Sequence, residues 1–253
     1  MAATEGEQVT IPRYLQLLWE LDEPARPGPK PGVDVRRIGE IGVQLADSNG
    51  LAGLSMRRVA AELGVTTMAL YRYVESKDEL LALVLDHAYG RPRLTHPADA
   101  SWRDRIGDWA RANRAVVLAH PWILSVAISE PPLTPHQIQW MEAGLQALAG
   151  LPLPEQEKLS SMLLVDVYVR GQTQLSREFA GAPASGELPL QQSEAERLYA
   201  ARLQLLTRGH HLPAVHRALT SGALEDGDTE FATDEFEFGL STLLDGIAAR
   251  ARR

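Results

Sequence analysis

The stretch LSMRRVAAELGVTTMALYRYVESKDELL, residues 54–81, constrains this chain more than any other part of it. Ser55 is a good N-cap and Gly64 can take the left-handed conformation just past a helix end, so a short helix is expected between them. Val59, Ala60 and Leu63 form its apolar stripe, with Arg57, Arg58 and Glu62 outside it. Thr66 caps a second helix, expected over residues 67–74, whose Leu70 and Val74 can pack back onto the first. Thr67, Met68, Tyr71 and Arg72 are left on the outer face. Ser76 and Glu79 have the spacing of a capping box, Glu79 reaching back, and start a third helix through Leu80, Leu81, Val84 and Leu85.

A second helix this short buries little, so Tyr71, Arg72 and Tyr73 on its outside need another reason to be there. A helix, a short turn with glycine and a second helix with a polar and aromatic outer face make the helix-turn-helix layout, whose second helix enters the major groove of DNA. Arg57 is the specificity candidate, since arginine pairs with guanine O6 and N7 for about 1–3 kcal/mol of discrimination. Met68 offers apolar contact only, for instance to a thymine methyl.

Residues 35–81 resemble the DNA-binding domain of tetracycline-repressor-like (TetR-like) transcription regulators, in the run RRVAAELGV, the LYRYV helix and the SKDELL start of the next helix. The run Phe236-Glu237-Phe238-Gly239-Leu240, continuing to Leu243, Leu244 and Gly246, resembles the last helix of the branch that includes the tetracycline repressor itself. The resemblance implies that Arg57, Thr67, Met68 and Tyr71 touch bases and that Thr66, Ala69, Tyr73 and Lys77 touch phosphates. Arg72 joins them from its place on the helix wheel alone. It also implies a homodimer built through a four-helix interface, a double-stranded DNA operator, a small-molecule effector of unknown identity, no cofactor, and action as a repressor. Where the tetracycline repressor holds its drug and magnesium, Trp109, Asn113 and Ala127 stand here, so tetracycline–Mg²⁺ is not the expected effector.

The rest of the chain agrees. No convincing alternation of period two appears, so the 253 residues, 45% of them apolar, should fold as an all-α protein with a small head and a larger helical body. The expected division is a flexible N-terminal extension over residues 1–32, a head over 33–80, and a ligand-sensing and dimerisation body over 81–253. The net charge of −8 argues against indiscriminate DNA binding, yet basic side chains outnumber acidic ones between residues 24 and 77. The sequence has no cysteine and no apolar run near the length of a membrane span, and a cytoplasmic protein without membrane contact is expected. In the extension, residues 11–21 can form an amphipathic helix against the body or a partner subunit, and the Pro-rich run 24–32 carries Arg26 and Lys30, which could reach a DNA groove.

Helices are expected over 33–49, 102–120, 122–129, 134–149, 155–179, 191–208, 212–220 and 234–250, separated by Pro- and Gly-bearing breaks. Two carry stripes suited to a second subunit or to the core: Leu159, Leu163, Val167 and Gly171 on the long one, and Phe236, Leu240, Leu243, Leu244 and Ile247 on the last. Trp109, Asn113, Trp122, Trp140, Met141, Met162, Tyr168, Asp166, Arg170 and Gln174 could line a small-molecule pocket, although each tryptophan and methionine alone is better explained as core. The Asp166–Arg170 pair on an otherwise apolar helix favours the pocket.

An enzyme is not expected. There is no nucleophile elbow, cysteine nucleophile or dinucleotide fingerprint, and His210, His211 and His216 lack a carboxylate at metal-binding spacing, so no catalytic or metal site is assigned. The alternative to an effector-released repressor is a ligand-independent dimeric DNA-binding protein controlled by a protein partner.

Overall fold

The computed structural model describes residues 10–21, 34–97, 99–127, 131–179, 192–221 and 231–252. Those residues contain helices and no strand. They divide into two compact units, residues 1–150 and 151–253. The carrier helix and the two body helices after it fall within the first of these units.

In the first unit, α1 (Arg13–Leu18) precedes α2 (Val35–Asn49), a 3-10 turn (Leu51–Gly53), α3 (Met56–Glu62), α4 (Thr67–Leu70), α5 (Lys77–Tyr89), α6 (Trp102–Ala119), a second 3-10 turn (Pro121–Ser125) and α7 (Pro135–Leu148). Asp34 caps α2 by accepting from the Arg37 N–H at 2.7 Å. The buried face of α2 holds Ile38, Gly39, Ile41, Gly42, Val43 and Ala46, and it lies along α5. The approach is close because two of those positions lack a side chain. A Cβ on Gly39 would stand 2.8 Å from the Cβ of His87, and one on Gly42 would overlap Val84. Ile38, Val59, Leu70, Val74, Leu80 and Val84 are fully buried in the core that results.

Trp122 belongs to that same core, and its indole N–H donates to the Asp47 carboxylate on α2 at 2.7 Å. His120 Nδ1 stands 2.8 Å from the same oxygen. Within the segment expected as a helix over 122–129, the residues up to Ser125 form a 3-10 turn, because Pro121 opens it and Trp122 is drawn down onto α2, and residues 128 and 129 lie outside the described residues. Trp122, one of the pocket candidates, is thus a buried part of the head's core.

Helix α7 begins in an unusual way. Thr134 sits where a cap belongs but makes no capping bond, its hydroxyl donating instead to Gln137 Oε1 at 2.7 Å. Pro135 has no N–H to offer. The first free donor, the His136 N–H, goes at 2.8 Å to Oδ1 of Asp86, a buried carboxylate on α5, and the His136 ring Nδ1 lies 2.8 Å from the other Asp86 oxygen.

The second unit holds α8 (Glu155–Phe179), α9 (Gln192–Thr207), α10 (Pro213–Thr220) and α11 (Phe231–Ala251). Helices α8 and α11 pack together. Tyr168 stacks on Phe236, with ring centroids 5.7 Å apart, and its hydroxyl donates to the Phe236 carbonyl at 2.9 Å. Gly239 makes room for that ring: a Cβ there would come within 2.7 Å of Tyr168 Cζ. At the far end Arg250 donates twice to Glu157, at 2.7 and 3.1 Å, and those hydrogen bonds hold the Glu157 carboxyl below its ordinary range. Of the two readings open for the last-helix stripe, a second subunit or the core, its burial favours the core. Phe236, Leu240, Leu244 and Ile247 are buried within the single chain and Leu243 is half-buried. On α8 the reverse holds: Leu159, Leu163 and Val167 are exposed and Gly171 faces open space.

Candidate nucleic-acid interface

Helix α3 starts on Ser55, whose hydroxyl accepts from the Arg58 N–H at 3.3 Å. It stops at Gly64, φ +69°, where the Val65 N–H closes onto the Ala60 carbonyl at 2.9 Å. Thr66 Oγ1 then accepts from the Ala69 N–H at 3.2 Å and opens α4. The helix expected to reach residue 74 ends at Leu70. Beyond it the Arg72 N–H bonds to Ala69 and the Tyr73 N–H to Leu70, a tightened turn. That turn still delivers Val74 to the core beside Leu70, both fully buried, so the i, i+4 apolar spacing is met without a regular helix.

With Leu70 and Val74 anchored, the opposite face stands in solvent. Met68 is 75% exposed and Tyr71 45% exposed, large apolar surfaces that nothing among the described residues covers. Arg57, Thr66, Arg72 and Lys77 are exposed around them, while Thr67, Ala69 and Tyr73 are half-buried. All nine residues expected to meet DNA therefore lie on or beside one short helix–turn–helix surface, and its chemistry is that of a groove reader: cations, hydroxyls and two flat or flexible apolar side chains. Arg58 is committed elsewhere, donating to the Gly53 carbonyl at 3.4 Å.

Ser76 caps α5 by accepting from the Glu79 N–H at 3.1 Å, but Glu79 reaches past the expected partner and accepts from the Glu75 N–H. The reciprocal pair is thus shifted one residue towards α4, which ties the end of the reading surface to the start of the carrier helix.

The pocket candidates fall in both units. In the first, Trp109, Asn113 and Trp140 are buried and Met141 is half-buried. Trp109 donates to the Trp140 carbonyl at 2.8 Å, and Trp140 donates to the Gly90 carbonyl, just past the end of α5, at 3.0 Å. On α8, Met162 is buried, Asp166 and Arg170 are half-buried and Gln174 is exposed. A hollow of about 320 Å³ opens in the first unit between Trp102 and Arg105 of α6 and Gln146, Ala147 and Gly150 at the end of α7, with none of the candidates in its wall. Those wall residues carry no pattern in sequence that marks them. His210 and His211 are exposed, and His216 Nε2 lies 3.2 Å from the Thr207 carbonyl.

The architecture and this surface define a helix-turn-helix DNA-binding regulator rather than an enzyme. Residues 40–84 match the model of bacterial regulatory proteins of the tetR family, and residues 95–251 match that of the tetracyclin repressor-like C-terminal domain. The chain belongs to the tetR family of transcription regulators. It is similar to the HTH-type transcriptional repressor DrrR1 of Streptomyces coeruleorubidus, 38% identical over 246 residues, which cover 94% of this chain and 85% of that one. Its fold is that of ActR from Streptomyces coelicolor in complex with actinorhodin, at 24% identity and a TM-score of 0.70 over 87% of this chain and 99% of that one. A possible TetR family regulator from Streptomyces coelicolor A3(2) shares 27% identity, with a TM-score of 0.62 over 85% and 99% of the two chains.

Proposed function

We propose that this regulator is a cytoplasmic, homodimeric repressor that holds a palindromic operator until a small-molecule effector releases it. The exposed Met68–Tyr71 face on a helix anchored by Leu70 and Val74 carries the operator reading. In this reading a two-fold dimer presents two such faces about 34–36 Å apart, one turn of DNA. Arg57 and Tyr71 specify bases, and Thr66, Tyr73 and Lys77 position the backbone.

Repression is supported by the likeness to DrrR1, and control by a small molecule is supported by ActR, whose structures include complexes with actinorhodin and with (S)-DNPA. The candidates for contacting an effector are Trp109, Asn113, Trp140 and Met141 in the first unit and Met162, Asp166, Arg170 and Gln174 on α8. Dimerisation is assigned to the exposed α8 stripe of Leu159, Leu163, Val167 and Gly171. Only a ligand that binds the DNA-incompetent form better can act as an inducer. A second reading, control by a protein partner with no effector, draws support from Trp109 and Trp140, whose indole N–H groups are both bonded inside the chain.

The test is binding of the purified protein to DNA flanking its own gene and to scrambled duplex at fixed salt, followed by random-sequence selection. The regulator should prefer its selected duplex by roughly 10³-fold or more. Arg57→Ala should cost about 1–3 kcal/mol there and almost nothing on scrambled DNA. A correctly folded protein that selects no duplex would end the reading. Leu163→Glu should shift the sedimenting species towards the monomer, and a species unchanged in size would remove α8 from the interface.

A further inference from the structure

The segment ahead of the head holds the reading surface from behind. Tyr14 and Leu18 pack on the core of the head and Leu15 is buried, which seats α1 across that core and fixes the direction of its two ends. At the first end Arg13 Nε donates to the Arg72 carbonyl at 3.1 Å. That carbonyl belongs to the tightened turn that finishes α4, where a cation is favoured by the outward-pointing carbonyl groups. At the other end the Trp19 indole N–H donates to the Leu133 carbonyl at 2.8 Å, next to the residue that precedes α7.

The end of α1 is itself built to a strict geometry. The Leu21 N–H closes onto the Gln16 carbonyl at 2.9 Å and the Glu20 N–H onto the Leu17 carbonyl at 3.3 Å, the paired bonds of a Schellman stop. Glu20 takes the left-handed conformation, φ +53°, that this stop requires and that glycine adopts far more readily. Among the described residues it is the one non-glycine with positive φ. A strained stop of this kind persists where the surroundings over-determine it, as the Trp19 bond does here.

We infer that α1 is a strap and that Arg13 is a positioning residue for DNA reading, setting the angle at which Met68, Tyr71 and Arg72 meet the groove without touching DNA itself. The inference rests on α4 being the helix that meets DNA. Residues 11–21 read in sequence only as an amphipathic helix, because both of its anchors are backbone carbonyls far along the chain.

The experiment uses the full-length protein and the duplex that it selects from a random pool, with scrambled duplex beside it, each titrated across a salt series. Arg13→Ala should weaken the selected duplex roughly tenfold, the scale of one charge-assisted hydrogen bond, with scrambled binding and the slope of log K against log salt unchanged. Arg13→Lys, which keeps charge and a donor, should recover most of the loss. Trp19→Phe should weaken the same duplex. Because a strap needs both ends, the double variant Arg13→Ala/Trp19→Phe should lose no more than Arg13→Ala alone. Equal losses on both duplexes with a slope shallower by about one would make Arg13 a phosphate contact and overturn the proposal. So would wild-type binding by Arg13→Ala, or additive losses in the double variant. Tyr71→Ala is the control for the underlying reading: if it binds the selected duplex like the wild type, the assignment of α4 fails and the strap falls with it.

Discussion

Replacing Gly42 by alanine sets two well-known effects against each other. In an isolated helix the change is favourable by about 1 kcal/mol, since glycine is the poorer helix former. Here the new methyl would overlap Val84 Cγ2 and stand 3.3 Å from its Cβ and 3.4 Å from its Cγ1. Val84 is fully buried and β-branched on a helix, so it has one good rotamer and nowhere to swing. Because the added atom overlaps Val84 outright, the overpacking cost falls in the upper part of the usual range, about 2–3 kcal/mol, and with the propensity gain of about 1 kcal/mol subtracted the expected loss is about 1–2 kcal/mol. At roughly 2–4 °C per kcal/mol for a chain of this size, the melting temperature should fall by about 2–8 °C. The assay is thermal and urea unfolding followed by circular dichroism, at one protein concentration because dimerisation would otherwise shift the midpoint. Val84→Ala alone should cost about 2 kcal/mol for its two lost methyl groups, and the double variant should cost at least about 1 kcal/mol less than the sum because the new methyl enters the vacated space. A rise in stability for Gly42→Ala, or additive losses, would refute the claim that α2 and α5 meet backbone to side chain.

Gly239→Ala should behave in the same manner in the second unit, with a net destabilisation of about 1–2 kcal/mol through the Tyr168 ring, and Tyr168→Ala should abolish the penalty; thermal unfolding of the three variants decides it. Stability should also depend on pH through His87, whose pKa lies below the ordinary 6.5 chiefly because burial disfavours its charged form, with His136 and Arg36 adding to the depression and Glu40 and Asp86 opposing it. The unfolded chain then binds this proton more readily than the folded one, so stability is full above pH 6.5 and is lost as pH falls from there through the depressed folded value. His87→Gln should flatten that part of a urea-midpoint-against-pH curve.

The parts of this fold that were legible in sequence are those written in local chemistry. Ser55, Thr66 and Ser76 each cap the helix expected of them, because a hydroxyl three residues ahead of a donor needs no knowledge of the rest of the chain. The exposed face of α4 followed, since Leu70 and Val74 had to point inwards and left Met68 and Tyr71 outside. What stayed hidden depends on long-range partners. A stripe of Phe236, Leu240 and Ile247 has the same spacing whether it faces another subunit or α8 of its own chain, and only the Tyr168 ring against Gly239 distinguishes them. Trp122 looks the same in a pocket wall as in the core of the head, until Asp47 is seen to take its N–H. The length of α4 was overestimated because a tightened turn delivers Val74 as well as a helix does.

The cap on α7 has a mechanical meaning. Helices that merely pack side by side can slip, exchanging one set of van der Waals contacts for another at small cost. Helices α5 and α7 are spliced: the donors that begin one terminate on a carboxylate of the other, through two contacts of 2.8 Å at Asp86, which is 3% exposed. Sliding either helix along its neighbour would strand a desolvated charge, which costs several kcal/mol. The two contacts therefore tie the start of α7 to α5 near its Gly90 end, and the register between the helices is set by hydrogen bonds as well as by packing.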